Sequence, residues 1–142
     1  MSIVLLAAVI LAADRATKVI ALRKLGFGRH AHGLVYVTFT ERPLLARGTS
    51  LRLLVILWIA AVVCTAGALL YAPVLQQNVF VAAGIAAALA GASGNLADRV
   101  IHGAVVDFVA IGRWPVFNLA DVAIVAGAVV AGASLIPVAR GW

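Results

Sequence analysis

The chain has 142 residues, the length of one domain; 65% of them are hydrophobic and only 11% are charged. A mean hydropathy of +1.14 excludes a soluble globular domain and predicts an integral membrane protein. The formal charge of +6 does not indicate nucleic acid as a partner, because the basic residues are scattered singly among apolar runs, and we expect membrane phospholipids with anionic headgroups to be their counterpart.

The first apolar run covers residues 2–22 and is long enough for a helix to cross about 30 Å of hydrocarbon. It carries Asp14 and Lys18 at positions i and i+4, with the acid first, which is the favourable order for an ion pair on one helix face. An unpaired charge at the bilayer centre costs at least about 2.5 kcal/mol. We therefore expect this pair either to neutralise itself near an interface or to face the bundle and support a functional site.

The first connection between apolar runs covers residues 23–50 and contains a β-branched and aromatic run at residues 34–40. This run predicts a short strand outside the membrane core. His30 and His32 form a His-x-His pair, but no Cys or carboxylate stands near them at ligand spacing. The pattern favours a solvated loop over a metal site, and we expect no metal.

Three further apolar runs predict membrane-spanning helices. They cover residues 51–71, 78–97 and 117–136. We therefore expect an all-α integral membrane protein whose single domain, residues 1–142, has four transmembrane helices and both termini on one side. Small residues at i+4 spacing in the third run allow a neighbouring helix to approach closely, and their row ends at Asn95.

The stretch from Gly94 to Asp121 holds three of the chain's five acidic residues. Asp107 lies on an extended segment and Asp121 at a helix start, so one turn between them can bring the two carboxylates together. Neighbouring carboxylates in a medium of low dielectric constant cannot both stay ionised, so one keeps a proton and the other acts as a base. Such a pair can activate water for peptide hydrolysis, but it is equally compatible with cation or proton transport.

Three polar side chains accompany the two carboxylates. Asn118 precedes Asp121 by one helical turn, and Asn95 and Arg99 are one turn apart on the preceding span. Their donors can orient the two carboxylates or hold a substrate carbonyl.

Four segments resemble, in order and spacing, the motifs of the lipoprotein signal peptidase family, also called signal peptidase II. They are Asp-Arg-Ala-Thr-Lys at residues 14–18, Gly-Asn-Leu-Ala-Asp-Arg at 94–99, Val-Val-Asp-Phe at 105–108 and Phe-Asn-Leu-Ala-Asp at 117–121. The resemblance implies an aspartyl endopeptidase of the bacterial cytoplasmic membrane, without metal or cofactor. Such an enzyme removes the signal peptide from a diacylglyceryl-modified prolipoprotein.

The resemblance also assigns roles to residues. Asp107 and Asp121 would be the catalytic dyad. The supporting or substrate-binding residues would be Asn95, Arg99, Asn118, Asp14 and Lys18. We expect the protein to be a monomer.

The orientation in the membrane is predicted differently by two patterns. The first connection is basic, with Lys24, Arg29, Arg42 and Arg47, and the positive-inside rule would place it in the cytoplasm. The family resemblance implies the opposite, with cytoplasmic termini, a small extracytoplasmic β element and an active site near the outer leaflet. We follow the family.

One segment departs from the family pattern. After Tyr36-Val37 the family usually has an Asn-x-Gly-Ala-Ala-Phe-like motif, and this chain has Thr-Phe-Thr-Glu-Arg-Pro-Leu at residues 38–44. The difference bears on substrate positioning, so a divergent paralogue that binds lipidated peptides without cleaving them is an alternative. A small Asp-lined transporter is a third possibility, but the chain lacks the internal repeats and paired broken helices common in transporters.

Overall fold

The structure is a computed structural model that describes residues 2–25, 30–31, 35–40, 51–71, 77–111 and 114–139. Its four long helices are α1 (Ile3–Leu25), α2 (Leu51–Tyr71), α3 (Val79–His102) and α4 (Leu119–Ala139). Its strands are β1 (His30–Ala31), β2 (Val35–Thr40) and β3 (Val105–Val109). The predicted fold class, a helical membrane protein with four helices and a small β element, is confirmed.

Three of the helices in the described part of the chain are long and apolar enough to cross a membrane. They contribute residues 51–68, 79–102 and 119–136. The fourth helix, α1, has 23 residues but carries Asp14 and Lys18 within its apolar run. These two side chains are only 3% and 1% exposed, so α1 turns its charged face inward and a largely apolar face outward.

Helix α3 lies against each of the other three helices and packs most extensively against α4. Small residues make this approach possible. A Cβ atom on Gly84 would lie 2.6 Å from the carbonyl oxygen of Gly127 in α4, and one on Gly91 would collide with the carbonyl oxygen of Ala120. Gly91 belongs to the predicted small-residue row; Gly84 lies beside it. The close contact holds the start of α4 against the middle of α3.

The chain turns sharply from α3 into β3. Gly103 adopts a left-handed conformation, with φ of 75°, and its N–H bonds the carbonyl oxygen of Arg99. This conformation is accessible to glycine without steric cost. Strand β3 therefore starts only two residues later and runs back past the last turn of α3.

The three strands form one antiparallel sheet in the order β1-β2-β3. In the ladder between β2 and β3, Thr38 lies opposite Asp107. After β3 the chain folds back, and Phe117 exchanges backbone hydrogen bonds of 2.9 and 3.0 Å with Val109. This return brings the start of α4 beside β3, as the sequence predicted. Residues 41–44, the rest of the divergent segment, lie outside the described residues, as does His32.

We predict that Gly84→Ala lowers the stability of the protein, because the added methyl group would force α3 and α4 apart. Overpacking of this kind costs about 1–3 kcal/mol. The matched control is Gly132→Ala in α4, where an added Cβ meets no atom within 4 Å. Thermal unfolding in detergent should show a lower midpoint for Gly84→Ala only, and equal midpoints would contradict the close contact.

Candidate active site

Asp107 lies in the middle of β3 and is completely buried, with 0% exposure. Its Oδ1 atom accepts a hydrogen bond of 2.7 Å from the side-chain amide of Asn118. The same Asn118 amide group lies 3.2 Å from the carbonyl oxygen of Val106. Asn118 therefore holds the carboxylate of Asp107 and the strand that carries it.

Asn118 is also the N-cap residue of α4. Its Oδ1 atom accepts the backbone N–H of Asp121 at 2.9 Å, and its own backbone N–H donates to Oδ2 of Asp121 at 3.1 Å. This reciprocal pair is a capping box with Asp in place of the usual Glu. It fixes the Asp121 carboxylate at the N-terminus of α4, where the helix dipole favours a negative charge.

Asn95 on α3 connects the two aspartates. Its Nδ2 atom donates to Oδ1 of Asp121 at 2.8 Å, and its Oδ1 atom accepts from Asn118 at 3.0 Å. The result is a continuous chain of hydrogen bonds from Asp107 through the two asparagines to Asp121. The structure thus brings together four of the residues that the sequence singled out.

A second polar group adjoins the first. Lys18 is 1% exposed, and its Nζ atom lies 2.7 Å from Asp14 and 2.8 Å from Asp98. It also donates to Oδ1 of Asn95 at 3.3 Å. Arg15, half exposed, reaches the other oxygen of Asp98 at 3.4 Å. The predicted Asp14–Lys18 pair is present, and it is joined directly to the site instead of being isolated at an interface.

Asp98, to which the sequence pattern assigned no definite role, is also part of this polar group. It is 1% exposed and accepts the backbone N–H of Val106 at 3.2 Å in addition to its two ion pairs. A signal was present, because Asp98 follows Asn95 by three positions and so shares its helix face. Its pairing with Lys18 joins two helices that are distant in sequence, and local spacing cannot reveal such a contact.

Arg99 lies on α3 one turn after Asn95. Both residues line a groove of about 280 Å³ between α2 and α3, together with Trp58, Leu57 and Leu96. The guanidinium group is therefore placed beside an apolar surface that ends at the polar site.

A larger groove of about 880 Å³ runs along α4, and Asp121 forms its polar wall. The other walls are apolar and include Trp114, Phe117, Val122, Val125 and Val129. Asn95, which lines the smaller groove, is joined by its 2.8 Å hydrogen bond to Asp121, which lines the larger one. A mainly apolar molecule in the larger groove would lie against these apolar walls. Any polar group that it carries could then lie beside the carboxylate of Asp121.

Within the described ranges, no three side chains of His, Cys, Asp or Glu converge so as to hold a metal ion. The cluster offers paired carboxylates, amide donors and one buried ammonium group. This donor set is suited to proton transfer with water, and the expectation of a metal-free site stays a prediction.

Comparison with known proteins gives a consistent result. Residues 6–136 match the family described as Signal peptidase (SPase) II. The lipoprotein signal peptidase of Rhodococcus jostii (strain RHA1) is 35% identical over 133 residues, covering 87% of this chain and 67% of the relative. That of Pelotomaculum thermopropionicum is 36% identical over 133 residues, covering 90% of this chain and 87% of the relative.

The fold has a solved counterpart. A bacterial membrane enzyme determined by the in meso method at 1.9 Å superimposes with a TM-score of 0.81 at 24% identity, covering 94% of this chain and 91% of that one. This similarity supports the arrangement of helices and sheet described above.

We predict that Asn118→Ala destabilises the protein more than the loss of an ordinary helix cap. The substitution removes the cap of α4, a loss of about 1 kcal/mol, and leaves a buried carboxylate without its amide donor, at a further cost of about 1–3 kcal/mol. The matched control is Asn78→Ala, because Asn78 caps α3 by accepting the N–H groups of Phe80 and Val81 and also donates one hydrogen bond to α4, at the carbonyl oxygen of Ser134.

Denaturant or thermal unfolding in detergent measures both variants. Asn118→Ala should lose clearly more stability than Asn78→Ala. Equal losses would mean that the link from Asn118 to Asp107 contributes no more than the hydrogen bond from Asn78 to Ser134.

Proposed function

We propose that this chain, which belongs to the signal peptidase II family, is an aspartyl endopeptidase that removes signal peptides from diacylglyceryl-modified prolipoproteins in the bacterial cytoplasmic membrane. The single observation that carries the proposal is the continuous chain of hydrogen bonds from Asp107 through Asn118 and Asn95 to Asp121. It joins two carboxylates on separate elements at the end of an apolar groove.

The reaction needs one ionised and one protonated carboxyl group. The ionised group accepts a proton from water, and the resulting hydroxide attacks the carbonyl carbon of the scissile peptide bond. The protonated group then donates its proton to the departing amine as the C–N bond breaks. Products are a carboxylic acid and a free amine, and the two carboxyl groups have exchanged their protonation states.

The two candidate catalytic residues differ in access. Asp107 is buried behind Asn118, whereas Asp121 borders the larger groove. Substrate therefore approaches from the Asp121 side. Asn95 and Asn118 hold the two carboxylates in place, which leaves Arg99, at the end of the smaller groove, as a donor for a carbonyl or headgroup oxygen of the substrate.

The larger groove supports an apolar substrate. Its walls are almost entirely hydrocarbon, and Val125 and Val129 are exposed along it. A signal peptide is an apolar segment and a diacylglyceryl group has two acyl chains, so both can bury apolar surface beside Asp121 without desolvating unpaired polar groups.

A relative that binds lipidated peptides without cleaving them is the second candidate function. The observation in its favour is the register of the sheet, which places Thr38 opposite Asp107. Thr38 opens the segment that departs from the family pattern, so the departure begins beside a candidate catalytic residue. Cleavage by the unaltered protein decides between the two.

We predict that Asp107→Asn and Asp121→Asn each reduce the rate of cleavage by roughly 10²- to 10⁴-fold, because an amide can neither accept nor donate the transferred proton. The assay uses purified protein with a diacylglyceryl-modified prolipoprotein, and the unmodified precursor is the substrate control. Full activity in either variant would remove that residue from the dyad. If the unaltered protein binds the substrate but does not cleave it, the binding function replaces the proposed one.

The proposed orientation places the sheet and the aspartates near the outer leaflet, with both termini in the cytoplasm. To test it, Cys64 is first replaced by Ser, since it is an exposed native thiol. We predict that Ile111→Cys, beyond β3, reacts with a membrane-impermeant thiol reagent added to intact cells or spheroplasts. Gln77→Cys, at the opposite end of α3, should react only after the cells are opened. The reverse labelling pattern would contradict this orientation and support the one that the positive-inside rule predicts.

A further inference from the structure

Each candidate catalytic aspartate directly follows a residue whose backbone N–H is bound by a buried carboxylate. Ala120, before Asp121, donates to Oδ1 of Asp14 at 2.9 Å. Val106, before Asp107, donates to Oδ2 of Asp98 at 3.2 Å. The two carboxylates come from different helices, yet each binds the chain one residue ahead of the side chain that would perform the chemistry.

Lys18 joins these two anchors. Its ammonium group has three donors, and three acceptors surround it: Asp14 at 2.7 Å, Asp98 at 2.8 Å and Oδ1 of Asn95 at 3.3 Å. We call Asp14, Lys18 and Asp98 the Asp–Lys–Asp clamp. The single ammonium group of Lys18 thus sets the distance between Asp14, which binds the start of α4, and Asp98, which binds β3.

The third donor of Lys18 also determines how Asn95 is oriented. The Oδ1 atom of Asn95 accepts from both Lys18 and Asn118. With the oxygen facing two donors, the amide nitrogen must face Oδ1 of Asp121, where the 2.8 Å hydrogen bond is made. A flipped amide would place its NH₂ group against the ammonium and remove the amide donor from Oδ1 of Asp121.

We propose that the Asp–Lys–Asp clamp sets the separation of Asp107 and Asp121, and that Lys18 is a positioning residue for the hydrolysis; this inference rests on the proposed function. A buried ion cluster is a weak source of stability, because desolvation offsets the attraction between the charges, and its best attested use is to fix one arrangement over others. Hydrolysis by a carboxylate pair needs such a fixed arrangement, because a shift of about 1 Å costs roughly 10²-fold in rate.

The two carboxylates of the clamp are compensated by Lys18 together with Arg15, which lies outside the clamp. Lys18 compensates one of the two buried carboxylates, and the half-exposed Arg15 lies 3.4 Å from the second. The role that we propose for the clamp is therefore one of position: it holds the backbone on either side of the site.

The test compares the rate constant with the apparent affinity in the full-length protein. Lys18→Met keeps a similar chain length and removes all three donors. It should lower kcat by roughly 10²-fold and leave KM within about three-fold, because the grooves that hold the substrate are unchanged. The control is Ser93→Ala, which removes the hydrogen bond from Trp58 between α2 and α3 but touches no member of the clamp; its kcat should stay unchanged.

A second variant, Lys18→Arg, distinguishes a role of Lys18 in positioning the aspartates from a role in balancing charge. Arginine restores the positive charge, so a purely structural role would restore kcat to the level of the unaltered protein. The planar guanidinium group of arginine cannot donate to three acceptors placed around a single nitrogen. If the clamp positions the aspartates, kcat of the folded Lys18→Arg variant should therefore stay at least about ten-fold below that of the unaltered protein. If Lys18→Met does not fold, Lys18→Arg decides; wild-type kcat in Lys18→Arg overturns the proposal.

A second readout does not depend on cleavage. Hydrogen exchange followed by mass spectrometry should show faster exchange in Lys18→Met for the peptides containing Val106 and Ala120, and unchanged exchange there in Ser93→Ala. Unchanged exchange at both segments in Lys18→Met overturns the clamp. If the unaltered protein does not cleave prolipoprotein, the proposed function fails, and the exchange result still decides whether Lys18 holds β3 and α4 together.

Discussion

A charged group in hydrocarbon must be paired, and this constraint organises the polar interior of the protein. Among the described residues, no buried side-chain nitrogen or oxygen lacks a hydrogen-bond partner. Lys18 is central to this arrangement, because its ammonium group contacts α1 through Asp14 and α3 through Asp98 and Asn95. Since an ammonium group left unpaired inside the bundle would be very costly, the packing of α1 against α3 must keep Lys18 paired, and α4 and β3 are bound by the two carboxylates that pair with it.

Much of this arrangement could be predicted from the sequence. Periodicity and apolar length indicated the helices, the β-branched runs indicated β2 and β3, and the short return between β3 and α4 indicated that Asp107 and Asp121 would meet. The sequence could not show that Asp98 binds Lys18, because that contact links helices that are 80 positions apart along the chain. It could not show that Asp14 accepts the backbone N–H of Ala120 either, since a cap supplied by another helix leaves no local pattern.

The close contact between α3 and α4 was predicted only in part for a similar reason. A row of small residues in α3 pointed to a helix neighbour, and Gly91 lies in it. The contact at Gly84 depends on the rotation of α4 about its own axis, which turns Gly127 toward α3. Sequence spacing gives the faces of each helix, whereas the pairing of faces is a property of the assembled bundle.

The divergent segment and the pair formed by Asp107 and Asp121 depend on different parts of the fold. The hydrogen bonds described for the two carboxylates come from Asn95 in α3 and Asn118 at the start of α4, and the clamp adds α1. Strand β2, which carries Thr38, joins this framework through its backbone ladder with β3. A change of sequence in β2 can therefore leave in place the hydrogen bonds from Asn95 and Asn118 to the two carboxylates. Under the proposed function, divergence in this segment would affect the choice of substrate before it affects the assembly of the Asp107–Asp121 pair.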